Sequence, residues 1–354
     1  MNLKLFFLVS FEFEKLLSSP WFSSLIIIIS VIGLFGFLGM FLVLLERKVC
    51  AFMQIRKGPN KVGYWGLLQT LADTLKLLFK ENFRPKVSDK YLYELAPLIA
   101  ILIPFLLIVP IAFSEKLQLW NINIGVLYIS AVSTVSVVSI LFAGISSNNK
   151  FSLLGGLRSG AQIVSYELSG GLAILTVILF SGSLDIKDII SSQTNSWWII
   201  KGHIPVIIAF FIFIITITAE CNRAPFDLTE AESELTAGFH TEYSGMRFAL
   251  FFLAEYLNIF ILSSLGVILF LGGWMPFHIP TLDGFNKIMD LIPGLIWFCF
   301  KCFSLIFLLM WFRWTFPRLR IDQLLKLEWF FLLPLSLLNL LLANLFLLLD
   351  LYIH

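Results

Sequence analysis

Three carboxylates in this chain sit where charge is costly. Glu167 and Glu255 lie inside long apolar runs, and Glu220 closes another. An ionised side chain at the centre of a bilayer costs at least about 2.5 kcal/mol. Low dielectric also disfavours the charged form of any carboxyl group, which suits such acids to taking up and releasing protons near neutrality. The other use for each is structural, as a neutral hydrogen-bond partner between helices. Acid is denser still in residues 220–242, where Glu220, Asp227, Glu230, Glu232, Glu234 and Glu242 face a single Arg223. Asp227 and Glu230 have the spacing of a capping box, which predicts a short helix with Asp227, Glu230 and Glu234 on one face. Carboxylates packed that closely titrate as a coupled cluster. A solvated acidic face behind a helix cap is the plainer alternative.

The elements that position these acids are read from composition. Of 354 residues, 58% are hydrophobic and 14% charged, against about 25% charged in soluble domains, which excludes an ordinary water-soluble enzyme. A net charge of +2 gives no reason to expect nucleic acid. Eight apolar runs reach the length of a membrane span, near 25–45, 95–113, 122–147, 163–183, 204–219, 248–274, 291–312 and 329–349. The fold expected is an all-α membrane protein of eight spans forming one integral membrane domain. Loops after odd-numbered spans hold 18 of the 25 Lys and Arg, and the opposite face holds six, with Lys301 inside a span. That bias puts the odd loops on the cytoplasmic or matrix side and both termini on the other.

The first odd loop, 46–94, is basic. Gly58-Pro59-Asn60 makes a turn. Leu67, Leu68, Leu71, Leu75 and Leu78 then recur at helical spacing around Asp73, Lys76 and Lys80. This predicts an interfacial amphipathic helix, either an anchor on anionic headgroups or a docking face and portal for a lipid-soluble ligand. Other chemistry has little support. The four His and four Cys are scattered, no metal site is expected, and Cys299 and Cys302 lie in an apolar span without a second pair. No phosphate-binding glycine loop, nucleophile elbow or zinc-helix motif occurs.

Several motifs together resemble the NADH dehydrogenase subunit 1 family, the quinone-site membrane subunit of respiratory complex I. They are Glu46-Arg47-Lys48, Arg56-Lys57-Gly58-Pro59-Asn60, Ala72-Asp73, Ser165-Tyr166-Glu167, the stretch from Ala219 to Tyr243, and Phe316-Pro317-Arg318. The resemblance spans nearly the whole chain in order. It implies a core subunit of a proton-pumping NADH:ubiquinone oxidoreductase. Ubiquinone is then the substrate, and flavin and iron–sulfur clusters belong to partner subunits. Arg47, Asp73, Phe252 and Arg313 match quinone-tunnel positions, with Arg56 at the tunnel mouth. Asp227, Glu230, Glu232 and Glu234 match the acidic loop beside the quinone chamber. Glu167 and Glu220 match the carboxylates leading to the pumping subunits. The implied partners are peripheral quinone-module subunits on the matrix side, small membrane subunits of the pumping arm, and the lipid bilayer.

The family reading places the chain in the mitochondrial inner membrane, with both termini in the intermembrane space. The 37 Phe residues fit an AT-rich organellar gene. The equivalent subunit of a bacterial or plastid enzyme is the close alternative. Two readings from other classes are an independent proton- or ion-coupled transporter using Glu167, Glu220 and Glu255, and a structural anchor for a peripheral complex. Cys221 and Thr70 depart from the family pattern, and Gly170-Gly171 predicts a close helix approach near Glu167.

Overall fold

The computed structural model describes residues 20–194, 196–228, 236–278 and 283–349. In hydrocarbon every backbone polar group must be satisfied internally, which a helix does within its own segment. The described residues are accordingly helical, with one isolated bridge between Ala112 and Gln118. The helices are α1 (Pro20–Met53), α2 (Gln69–Phe79), α3 (Lys90–Leu107), α4 (Gly125–Thr134), α5 (Ser136–Ser146), α6 (Lys150–Ser181), α7 (Ile186–Ser191), α8 (Trp198–Lys201), α9 (His203–Glu220), α10 (Gly245–Phe270), α11 (Asp283–Asp290), α12 (Gly294–Thr315), α13 (Ile321–Lys326) and α14 (Leu333–Leu348). A π-helical turn, Leu327–Leu332, joins the last two. Taking α4 with α5 and α13 with α14, eight helices among the described residues are long and apolar enough to cross a membrane.

The centre of the bundle is α10, buried over most of its length and packed on α3, α1 and α12. A second nucleus is α6, against α5, α9 and α14. Large apolar residues on α1 and α14, such as Ile28, Phe37, Leu338 and Leu341, face outward, which lipid permits. Small residues bring helices close. A Cβ on Gly156 would stand 3.3 Å from the Cα of Gly144, so α5 and α6 approach backbone to backbone.

Two elements differ from the expected spans for local reasons. The helix of the fourth span, α6, starts at Lys150, well before 163, because Asn149 caps it by accepting from Phe151 N–H. Its Gly- and Ser-rich first turns bury small faces against neighbouring elements. Arg158, which precedes the apolar run at 163–183, lies within this helix. The third span is broken at Val135. There Ser133 and Thr134 both donate to Ser130 C=O, the kind of side-chain back-bonding that bends helices.

Buried polar groups tie the ends of elements together. Gln162 Nε2 on α6 donates to Ala219 C=O and to Phe226 C=O, each at 2.8 Å, fixing the end of α9 and the loop after it. Lys301, within α12, donates to the carbonyls of Leu271, Gly273 and Met275 and lies 4.3 Å from the Trp197 ring centroid. The intramembrane lysine thus caps the end of α10, where carbonyls lack intrahelical partners.

Candidate functional site

A single polar constellation forms where α1, α10, α12 and the loop after α9 meet. Glu46, on the last turns of α1, is buried. Arg223 Nη1 reaches its two carboxylate oxygens at 3.2 and 3.1 Å, and Arg313 from the end of α12 donates to it as well. The Tyr256 ring lies 4.4 Å beneath the Arg223 guanidinium, and Tyr256 also interacts with Glu46. Burial alone would lower the Arg223 pKa, but Glu46, then Tyr256 and Glu255, raise it well above its ordinary value. The guanidinium therefore stays charged. Breaking a buried pair of this kind costs about 3–5 kcal/mol, because it strands the partner's charge.

This constellation floors a chamber of about 540 Å3, whose further walls include Arg47, Arg56, Lys57, Phe252 and Trp314. Beside it lies a second cavity of about 380 Å3 between α1, α2 and α10, lined mostly by apolar groups such as Val43, Leu77, Phe248 and Leu253. The two share Arg47 and Phe252. At that junction Arg47 Nη1 holds Asp73 Oδ2 at 2.5 Å, and Gln69 Nε2 holds the other Asp73 oxygen at 3.0 Å. Half-exposed pairs contribute only about 0–1 kcal/mol, so this contact can open far more cheaply than the Glu46 pair. Phe252 stacks on Phe248 at a centroid distance of 5.9 Å and meets the Tyr256 ring edge-on at 5.0 Å. An apolar cavity bordered by helices thus adjoins a cationic chamber that holds a fixed acid in its wall.

Three partly buried acids border two further, smaller cavities. Glu255 lies 3.7 Å from His240 Nε2, and with Glu220 and Asn258 it lines a cavity of about 40 Å3. Glu220 and Asn258 also line a neighbouring cavity of about 20 Å3 that ends at Glu167. By volume these hold a few waters and one water. Asn258 Oδ1 has no protein partner. Thr134, at the kink of the third span, donates to Glu167. Gly170 makes the geometry possible, because a Cβ there would meet Thr216 Oγ1 at 3.2 Å and Glu220 Oε1 at 3.6 Å, whereas one on Gly171 would meet nothing within 4 Å. Only the first glycine of the pair serves the close approach. Burial, then the Glu220 carboxyl, pushes the Cys221 thiol far up, so it stays protonated and inert.

The structure thus brings Arg47, Arg56, Asp73, Phe252 and Arg313 around the two large cavities, and Glu167 and Glu220 around the smallest. Arg56 is held by Gln54 at 2.7 Å and Cys50 at 3.8 Å. The helix that the capping spacing of Asp227 predicts falls on residues 229–235, outside the described residues. Asp227 itself pairs with Arg318 Nη2 at 3.1 Å. Leu319 N–H donates to Pro225 C=O beside it, so the segment after α12 docks on this loop and supplies the countercharge. Glu230, Glu232 and Glu234 lie outside the described residues. Three members of the site escaped sequence reasoning as site residues: Glu46, Arg223 and Tyr256. The one available signal was an acid, Glu46, ending a long uncharged run.

Known proteins resemble this chain over most of its length. The family model for NADH dehydrogenase matches residues 25–344. An NADH-quinone oxidoreductase subunit of Bacteroides thetaiotaomicron, the one designated H, is 55% identical over 89% of this chain and 88% of its own length. Its namesake from Bacteroides fragilis is 56% identical over 88% and 87%. That from Brevibacillus brevis is 48% identical over 84% and 85%. With eight apolar helices and a match across most of its length, the chain is a multi-pass membrane protein and belongs to the NADH dehydrogenase family.

Proposed function

We propose that this chain is the quinone-site membrane subunit of a proton-translocating NADH–quinone oxidoreductase. One observation carries the reading: Glu220-Cys221-Asn222-Arg223 is a single short segment with a foot in each half of the site. Arg223 floors the cationic chamber, and Glu220 lines both small cavities. A quinone entering between α1, α2 and α10 would pass the Arg47–Asp73 pair and reach the chamber head first. Electrons come from partner subunits that carry flavin and iron–sulfur clusters. This chain supplies position, charge and proton-holding groups. Reduction changes the charge in the chamber. Arg223, clamped by Glu46, feels that change and passes it along the rigid segment to Glu220, then by way of Asn258 and waters to Glu167. Asp227, Glu230, Glu232 and Glu234 serve the same proton coupling, as the family resemblance implies.

The partners that follow are peripheral subunits seated on the basic loops and small membrane subunits beside α4–α6. The relatives named above are all bacterial, which supports the bacterial alternative over the mitochondrial inner membrane. Abundant Phe reports base composition, and an AT-rich bacterial genome produces it equally well. The matrix side is then the cytoplasm. The relatives' names say quinone and go no further, so the substrate class is quinone rather than ubiquinone in particular.

The test compares two activities of the assembled complex. Glu220→Gln and Glu167→Gln should each cut quinone-linked NADH oxidation at least tenfold while sparing oxidation by a hydrophilic acceptor that bypasses this chain. Equal loss of both activities in a fully assembled complex would overturn the reading.

A further inference from the structure

On the opposite side of α1 from the apolar cavity lies a third large space, about 550 Å3, between α1 and the loop after it. Phe41, Leu44 and Leu45 form its inner part, and Phe52, Trp65 and Leu67 its outer walls. Lys48, Arg56 and Lys57 stand at the end where the span leaves the membrane, and no acid lines the groove. Lys48 and Lys57 make no ion pair among the described residues. Arg56 contacts only the neutral side chains of Gln54 and Cys50. Apolar below and cationic above is the polarity of a phospholipid with its tail in the membrane and an anionic headgroup at the surface. A quinone head carries no anion for three cations to meet.

We propose that this groove is a binding site for one anionic glycerophospholipid. An acyl chain lies along Phe41, Leu44 and Leu45, and the phosphate is held by Lys48 and Lys57, with Arg56 in reach. The site touches the quinone chamber through a common wall. Arg56, Lys57 and Gly58 line both spaces, and Gly58 lies flush on the end of α1, where a Cβ would stand 3.2 Å from Lys48 Cδ and 3.3 Å from Arg47 C=O. A headgroup anchored here steadies the wall against which the quinone seats. That second effect rests on the function proposed above, whereas the binding site itself does not.

The experiment uses the complete purified complex, washed into phosphatidylcholine and then titrated with phosphatidylglycerol. Bound lipid is counted by native mass spectrometry. The unaltered complex should retain phosphatidylglycerol in preference to phosphatidylcholine. Lys48→Gln combined with Lys57→Gln should weaken that retention roughly thirty-fold, at about one surface charge contact per lysine. Leu67→Trp keeps every cation, fills the groove and should abolish retention as well. Unchanged retention in both variants, or equal binding of phosphatidylcholine, overturns the site. Capture of a partner-subunit peptide by a photoreactive side chain at position 67 overturns it too and assigns the groove to protein. In the unaltered complex phosphatidylglycerol should lower the KM for a short-chain quinone severalfold, and in the double variant it should not. Lost retention with an unmoved KM removes the link through the wall. Intact retention in an assembled complex that reduces no quinone would defeat the quinone reading and leave the lipid site standing.

Discussion

Glu46 shows what a single carboxylate does when its partners come from far along the chain. It neutralises Arg223 and Arg313, 177 and 267 residues away, inside the bundle. Glu46→Gln keeps the shape and removes the charge, so it should cost about 3–5 kcal/mol and lower the amount of complex on a native gel. Adding Arg313→Gln should recover part of that loss by restoring the charge balance. A Glu46→Gln complex as abundant and as heat-stable as the original would sink the assignment. Arg47→Ala should act differently, because the Arg47–Asp73 pair is half-exposed. Assembly should be nearly unchanged while inhibitors that compete with quinone bind about tenfold more weakly, and an unshifted inhibition curve would count against the passage. The contrast explains which residues sequence reasoning could find. Glu167 and Glu220 announce themselves as charge among apolar neighbours. Glu46 sits beside Arg47 and Lys48, where charge is ordinary, and only the fold reveals that it is buried. For Asp227 the capping spacing was visible in the sequence, whereas its partner Arg318, 91 residues further on, was not.

At the scale of elements, the eight spans were legible because an apolar run long enough to cross a bilayer has few other uses. Their ends were less so. The start of α6 depends on the Asn149 cap and on packing of small residues, and the break at Val135 depends on hydroxyls that bond backwards along the helix. Neither changes hydropathy, which is the quantity that defines a span. The amphipathic α2 was legible from its leucines, which remain on its outer face. The Gly170-Gly171 pair supplies an internal control for the packing argument. Gly170→Val should force α6 and α9 apart at Thr216 and Glu220, at a cost of about 1–3 kcal/mol, and should depress quinone-linked turnover. Gly171→Val points into open space and should leave assembly and turnover near normal. Equal damage from both would mean that helix propensity, not the close approach, is responsible.

For the whole molecule, charge decides orientation. Ten of the basic residues fall in 46–94 and only six on the opposite face. The chamber opens among the first group, through Arg47, Arg56 and Lys57, so, on the function proposed above, the basic side is also the side on which electron-donating partners sit. Orientation and function are therefore one claim, and a topology measurement tests both. Replacing Cys299, the one exposed cysteine among the described residues, with Ser leaves buried thiols that react slowly. Lys116→Cys, on the exposed turn after α3, should then react with a membrane-impermeant maleimide added to intact spheroplasts. Lys86→Cys, on the exposed segment before α3, should react only after the membrane is opened. If Lys86→Cys reacts first and Lys116→Cys is protected, the chamber faces away from the NADH-oxidising partners. The quinone assignment then fails together with the topology, because no electron carrier could reach the passage from that side.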